Sequence, residues 1–209
     1  MLAICVRAAD AVRSDSIVLL LHEVKLGHIA MLITGDDGKY HFFSINGNNI
    51  YLSARFVSGG WYAGNRRYND LGERSWDSPA DFLRSSFNSN GRTSDASVTA
   101  CHYTVGYAIA TTAEQNATMA ATFTRLGSSA YNLLNNNCAT ACIKTMQSAG
   151  LPVEPPEGSD DDDMPPGMPQ PDGFQRVFIF VSNLTGAYDF PYLTFRRLVR
   201  ANPGGTFIR

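Results

Sequence analysis

The stretch Tyr131-Asn-Leu-Leu-Asn-Asn-Asn-Cys138-Ala-Thr-Ala-Cys-Ile-Lys-Thr-Met-Gln-Ser-Ala-Gly150-Leu-Pro152 carries the strongest local signal in the chain. After its three consecutive asparagines, apolar residues recur at steps of three and four, which predicts a helix with one buried face. Asn136 or Asn137 is suited to cap this helix, and the glycine and proline at the far end are typical stop signals. Cys138 is therefore expected in the first turn.

The chemistry expected of Cys138 follows from that position. A thiol at a helix N-terminus lies beside unpaired backbone N–H groups and the positive end of the helix dipole, and both favour the thiolate. The competing interpretation is structural, because free cysteine behaves as a small hydrophobe and is often buried. We interpret Cys142, one turn further into the helix, as structural. The polar approach through Asn135–Asn137 and a histidine upstream favour Cys138 as a nucleophile.

The composition restricts the classes of protein that fit the chain. Its 209 residues, 44% of them hydrophobic, suffice for one domain with a substantial core. A formal net charge of −2 gives no basic field, so we expect no nucleic-acid partner. The cysteines at positions 5, 101, 138 and 142 have neither zinc-site spacing nor the density of a disulfide scaffold. We expect them to be free thiols.

The N-terminal residues Met1–Asp10 begin apolar but include charges too early for the hydrophobic region of a signal peptide. No stretch of the sequence reaches the roughly 18 apolar residues that a helix needs to span a bilayer. We therefore expect a soluble chain with no membrane span and no classical export signal. If it acts outside its cell, a separate secretion machinery must carry it.

Three strands are predicted upstream of the cysteine. Ser16–Val24 and Leu26–Ile33 are apolar runs, Gly35-Asp-Asp-Gly38 is a hairpin signal, and Lys39–Ile45 returns antiparallel to the second run. His28 begins the second strand directly after a glycine. A histidine in such a place is more often structural than catalytic when considered alone. A cysteine at a helix N-terminus shifts that balance towards catalysis.

The middle of the chain has the composition of loops, and we interpret about residues 50–97 as a loop-rich insertion. One short helix is predicted over Ser78–Arg84. Long irregular segments in a compact domain are usually binding loops or lids. Trp61, Tyr62 and Trp76 either line a substrate cleft or cover the core, and the sequence favours neither interpretation.

The later segments alternate between regular structure and linker. Val98–Ala110 alternates like a strand, and Ala113–Leu126 has helical periodicity. An acidic, proline-rich linker is predicted at about 153–173, and its four consecutive aspartates lack the spacing of an EF-hand loop. Gln175–Val181 predicts a further strand. The aromatic and basic segment Tyr188–Arg209 predicts an edge element or a docking tail.

These features follow one another in an informative order. Gly27-His28 opens a strand, a Gly-Asp-Asp-Gly turn leads to a second strand, and Tyr131-Asn-Leu-Leu-x-x-Asn137-Cys138 opens a helix that ends at Ala149-Gly150. This order resembles the circularly permuted papain-like cysteine hydrolases, in which the histidine precedes the cysteine. They include NlpC-type peptidases, lecithin-retinol-acyltransferase-like enzymes and toxin domains of type VI secretion effectors. The resemblance covers about residues 16–48 and 98–152.

The resemblance implies an α+β fold in which an antiparallel sheet packs on the cysteine helix, within a single papain-like domain over residues 1–209. It makes Cys138 the nucleophile and His28 the general base, with a third polar residue on the next strand to orient the imidazole. His41 matches that third role by type and by distance. Closing the hairpin symmetrically about its two aspartates would leave His41 on the same face but about 13 Å along the strand. A bulge would bring His41 nearer, whereas a loop of odd length would instead turn Ser44 and Asn46 inward.

The resemblance also implies attack of a Cys138 thiolate on an amide or ester carbonyl, with no metal or organic cofactor required. Our first hypothesis is a peptidoglycan amidase or endopeptidase that serves as an antibacterial effector. It would be cytoplasmic before export, delivered to a target periplasm by secretion machinery, and neutralised by a cognate immunity protein. A second hypothesis is a lipid or protein acyl hydrolase, acyltransferase or deamidase on the same scaffold. A third is a non-catalytic binding module, in which Cys138 and His28 are core residues.

Overall fold

The structure is a computed structural model that describes residues 15–22, 28–46, 69–89, 102–129, 136–153, 164–171, 173, 176 and 190–209. The strands of these ranges form one antiparallel sheet in the order β4-β3-β2-β1-β5-β6. In chain order the elements are β1 (Ser16–His22), β2 (His28–Thr34), β3 (Tyr40–Ser44), β4 (Asp70–Trp76), α1 (Pro79–Arg84), α2 (Ser86–Ser89), β5 (Val105–Ala110), α3 (Ala113–Gly127), α4 (Cys138–Ser148), α5 (Pro191–Ala201) and β6 (Thr206–Ile208). The predicted α+β class is confirmed.

The sheet is covered on both faces, which explains why β1 is apolar from Ile17 to Leu21 and β2 from Ile29 to Ile33, instead of alternating. On the first face, which we call the helix face, α3, α4 and α5 pack against Ile17, Leu19, Leu21, Ile29, Met31 and Ile33. On the opposite face, which we call the aromatic face, Phe82 of α1 and the ring of Tyr103 pack against Val18, Leu20, Ala30, Leu32 and Phe42. Side chains that alternate along each strand therefore enter two separate cores.

The β2–β3 hairpin closes where the sequence predicted it. Gly35 N–H donates to the Lys39 carbonyl at 2.8 Å, and Gly38 takes a φ of +74°, a conformation that favours glycine. The register pairs Ile33 with His41, which makes the connection from Gly35 to Lys39 five residues long. The loop thus has odd length, and the symmetric closure about the two aspartates is wrong. As a result, Ser44 lies on the same face of the sheet as His28, as the alternative with an odd loop length predicted, and His41 lies on the other face.

The cysteine helix α4 also forms as predicted. Asn137 is its N-cap, with its side chain accepting from Thr140 N–H at 2.9 Å and the Thr140 hydroxyl accepting from Asn137 N–H. This reciprocal capping box satisfies two helix-end donors, and such a cap contributes on the order of 1 kcal/mol. At the other end Gly150 has a φ of +70° and donates to the Gln147 carbonyl. Cys138 is the first helical residue.

Two other helices agree with the sequence, since α1 and α3 lie within a residue of the predicted Ser78–Arg84 and Ala113–Leu126. The described part of the middle segment has more regular structure than the loop-rich interpretation predicted. Asp70–Trp76 forms β4, because the exposed, charged residues of this strand occupy a sheet edge where no alternating pattern is required. Ser86–Ser89, also interpreted as loop, is a short helix. Of the predicted strand Val98–Ala110, residues 105–110 form β5, residues 102–104 are described and are not strand, and residues 98–101 lie outside the described residues.

The remaining expectations have mixed outcomes. Trp76 packs on the aromatic face against Phe42 and Phe82, so it covers the core. Met164 and Met168, in the predicted linker, pack against the helix-face core. Arg176 is helical, although it lies in the predicted strand Gln175–Val181. The C-terminal segment forms α5 and the edge strand β6, which confirms an edge element. Outside the described residues lie Trp61, Tyr62, Cys5, Cys101, the aspartate run and residues 177–181.

Candidate active site

Cys138 lies where α4 packs against the start of β2. Its side chain belongs to the helix-face core, and the residue is 5% exposed. The backbone N–H groups of Ile29, Ala139 and Cys138 itself point at the sulfur. Two of these donors come from the first turn of α4, where helix geometry leaves N–H groups without intrahelical partners. The third comes from the neighbouring strand and holds the sulfur beside β2.

Burial raises the pKa of the Cys138 thiol to about 11, because the three backbone N–H groups only partly offset the cost of a charge in the core. Our expectation that the helix N-terminus would give a thiolate is therefore not met in this structure. Cys142 is buried deeper in the same core, and its pKa is raised further by burial and by the neighbouring Cys138. Both cysteines are free. The resting thiol of Cys138 is neutral at pH 7.

His28 takes part in a hydrogen-bonded relay along the following strand. Its Nε2 lies 2.9 Å from the Ser44 hydroxyl, and that hydroxyl donates to Asn46 Oδ1 at 3.1 Å. A hydroxyl has one proton to donate, so Ser44 must accept from His28 Nε2–H. The relay therefore fixes a proton on Nε2 and orients the imidazole towards β3.

The two central side chains approach the same strand end from opposite faces. Alternation places His28 with Ala30 on the aromatic face, and its ring centroid lies 6.1 Å from that of Tyr103. Cys138 occupies the helix face, beside the N–H of Ile29. Within the described ranges the donors to the sulfur are backbone N–H groups, and the imidazole of His28 is not among them. Proton transfer between the pair thus requires closer approach around the first residue of β2.

His41 lies at the other end of the hairpin. Its Nδ1 donates to the Gly72 carbonyl at 2.8 Å, and its Nε2 lies 3.0 Å from Asp37 Oδ1. Its strand partner is Ile33, five positions from His28 and therefore roughly 17 Å along the strand. The structure does not bring His41 to His28. It brings Ser44 there, because the odd-length loop turns alternate residues of β3 towards the imidazole.

Two further polar side chains lie close to this relay and were not singled out from the sequence. His22 is the direct cross-strand partner of His28, and its Nδ1 donates to the His102 carbonyl at 2.7 Å. Asp70 is 3% exposed and is the cross-strand partner of Ser44. Neither has a local sequence signal, because a cross-strand neighbour depends on register. With the correct hairpin loop length, the sequence would have placed Ser44 beside His28. The positions of His22 on β1 and Asp70 on β4 depend on connections that have no turn signature.

The described residues include no cluster of three or more histidine, cysteine, aspartate or glutamate side chains that could hold a metal ion. None of the helices in the same ranges is both long and apolar enough to cross a membrane. Comparisons of the chain with protein-family models, with curated proteins and with solved structures find no match. The chemical interpretation of the site consequently depends on its own geometry.

Proposed function

We propose that this chain is a cysteine hydrolase of the circularly permuted papain-like type. Cys138 is the nucleophile, His28 the general base, and Ser44 with Asn46 the pair that orients the imidazole. The observation that carries the proposal is the relay from His28 Nε2 through the Ser44 hydroxyl to Asn46, which fixes the Nε2 proton and the orientation of the imidazole. Chemistry of this kind needs a base whose imidazole is oriented by a hydrogen bond on one ring nitrogen.

The raised pKa of Cys138 determines how such a reaction would start. Because the resting thiol is neutral, His28 removes its proton as the sulfur attacks the carbonyl, in place of a preformed ion pair. Contacts of this kind tighten when substrate binds, which brings Nδ1 to the sulfur directly or through one water. The backbone N–H of Cys138 stabilises the oxyanion, His28 protonates the leaving amine, and water releases the acyl group.

The proposed substrate is a peptide amide of peptidoglycan, which would make the protein an antibacterial effector delivered to a target periplasm. The resemblance to toxin domains supports this choice, and a secretion machinery and a cognate immunity protein are the partners it implies. The described edge strand β4 adds exposed charges at Glu73 and Arg74. Such charges suit a polar peptide better than an acyl chain, because charges along an acyl channel need partners or water.

Mass spectrometry of isolated cell-wall sacculi tests this proposal. Sacculi digested with the wild-type protein should release defined peptide fragments, and Cys138→Ala should release none. Expression directed to a bacterial periplasm should be more harmful than cytoplasmic expression. Identical sacculi profiles for both proteins, together with toxicity that persists in the cytoplasm, would instead point to a protein- or lipid-directed hydrolase.

A second candidate function is a non-catalytic binding module. The burial of Cys138 favours it, because a thiol that is 5% exposed with a pKa of about 11 has the properties of a core residue. Alkylation of the native protein at pH 7 to 8 distinguishes the two candidates. Cys138 in the hydrolase should react faster in the wild type than in His28→Ala, whereas in a binding module the two rates should be equal.

A further inference from the structure

Two side-chain amides from different parts of the chain donate hydrogen bonds to carbonyls at the C-terminal end of α3. Asn69 Nδ2 donates to the Gly127 carbonyl at 2.8 Å, and Asn136 Nδ2 donates to the Leu126 carbonyl at 3.3 Å. The last carbonyls of a helix lack intrahelical donors, so external donors are able to fix the helix end in place. Asn69 directly precedes β4, and Asn136 directly precedes the N-cap of α4.

The amide of Asn69 also reaches the relay of His28. Its Oδ1 accepts from the Asn46 backbone N–H at 2.9 Å, while its Nδ2 donates to Gly127. Asn46 is the residue whose side chain accepts from Ser44. One amide group thus connects the end of β3, which orients the imidazole, to the end of α3.

The same helix end is connected to Cys138 through Asn136. Asn136 bonds to Leu126 and is followed by Asn137, whose capping box sets the first turn of α4 and with it Cys138. The end of α3 packs closely against β4, because a Cβ on Gly127 would overlap the side chain of Leu71. This close contact keeps the distance that the Asn69 bridge spans short.

We propose that Asn69 is a positioning residue that sets the spacing between the two halves of the active site, the His28 relay and the Cys138 helix. This inference rests on the proposed hydrolase function for its effect on turnover, but the geometric coupling stands independently of the substrate. Asn69 touches neither thiol nor imidazole. It acts through Asn46 on one side and through the end of α3 on the other.

Two substitutions at this position separate the two bonds. Asn69→Ala removes both, whereas Asn69→Asp keeps an acceptor for the Asn46 N–H and loses the donor to Gly127. Asn202→Ala is a matched control, because the Asn202 amide donates to the Leu198 carbonyl at the end of α5 and to the Pro152 carbonyl. That control removes a similar bridge at a helix end that is connected neither to the His28 relay nor to the start of α4.

Three readouts are compared in each variant: imidazole ¹⁵N shifts of His28, the alkylation rate of Cys138 relative to Cys142, and sacculi hydrolysis. Asn69→Ala should lower the Nε2–H population of His28, change the Cys138 rate ratio at least about threefold, and reduce kcat/KM by roughly 10- to 100-fold. Asn69→Asp should keep the His28 shifts of the wild type, and its kcat/KM should fall less than that of Asn69→Ala, because one of the two bonds remains. Asn202→Ala should lower the melting temperature and leave all three readouts unchanged.

The outcomes separate this inference from the proposed function. If Asn69→Ala only lowers the melting temperature, as Asn202→Ala does, while His28 shifts and Cys138 alkylation stay those of the wild type, the positioning role is overturned. If both spectroscopic and labelling readouts move as expected but the wild type digests no sacculi, the coupling stands and the proposed substrate fails.

Discussion

The two ends of the β2–β3 hairpin each hold a histidine, and their surroundings differ in one respect. At the turn end, both ring nitrogens of His41 face acceptors, the Gly72 carbonyl and the Asp37 carboxylate. At the open end, Nε2 of His28 donates to the Ser44 hydroxyl, which in turn donates to Asn46. An imidazole between a carbonyl and a carboxylate has a raised pKa and fixes structure. An imidazole oriented through a neutral hydroxyl is suited to proton transfer.

The largest expected effect comes from the open end. His28→Ala and Cys138→Ala should each reduce sacculi hydrolysis by about 10³-fold or more, and the double variant should be hardly worse than either single one, because both act in one step. His41→Gln, Cys142→Ala and His102→Ala should retain activity. Hydrolysis kinetics on purified, folded variants measure this. Loss of activity in Cys142→Ala alone would show that the wrong thiol has been assigned.

Removal of the orienting hydroxyl should have the next largest effect. Ser44→Ala leaves His28 Nε2 and Asn46 Oδ1 without their shared partner, so the tautomer is no longer fixed and kcat should fall roughly 10- to 100-fold. Ser44→Thr keeps the hydroxyl and should recover most of the rate. Kinetics together with imidazole ¹⁵N shifts provide the measurement. Equal rates for the alanine and threonine variants would contradict an orienting role.

The thiol of Cys138 should become deprotonated only at high pH. Because burial raises the pKa of Cys138 to about 11, its alkylation rate should rise about tenfold per pH unit between about pH 7 and pH 10. Cys142, whose pKa is raised well above its ordinary value, should remain slower throughout. Time-resolved mass spectrometry of alkylated peptides gives both rates. A plateau in the Cys138 rate near neutral pH would reveal a thiolate and would contradict the buried, neutral state.

The turn end should produce the smallest effect, on stability alone. Burial lowers the pKa of His41, but bonds to Gly72 and Asp37 outweigh it, so the folded pKa lies above 6.5. The stabilisation is therefore complete below about pH 6.5 and is lost as the pH rises through the folded value. The bond from His41 and the Lys39 N–H lower the pKa of Asp37 below 3.8, so its contribution is present above about pH 3.8 and lost as the pH falls through the folded value.

Melting temperatures between about pH 3 and pH 9 test this dependence. His41→Gln should flatten the decline on the alkaline side, and Asp37→Asn should flatten the declines on both sides. The shifts should be small, within a few degrees, because both side chains are partly exposed and solvent screens the pair. Asp36→Asn, at the neighbouring turn position, serves as the control and should follow the wild type. A His41→Gln profile as steep as the wild-type profile would contradict the assignment.

The elements that local chemistry defines were predictable from the sequence. The capping residues and the glycine stop place α4 within a residue, and the Gly-Asp-Asp-Gly turn places the β2–β3 hairpin. These signals depend on contacts between residues a few positions apart, which form without help from the rest of the fold. The strand β4 was not predicted, because a charged edge strand is stabilised by its hydrogen bonds to β3 and has no alternating apolar pattern of its own.

The site was predictable only in part, for the same reason. The positions of Cys138 at a helix N-terminus and His28 at a strand start follow from local signals. The partner of His28 depends on whether the hairpin loop has four or five residues, and a shift of one residue exchanges every side chain between the two faces. The state of the thiol depends on burial by α3, α5 and the sheet, which are remote in sequence. The sequence by itself therefore determined which groups are available for chemistry, and only the tertiary structure decided their partners and their charge, because desolvation and cross-strand contact are properties of the assembled core.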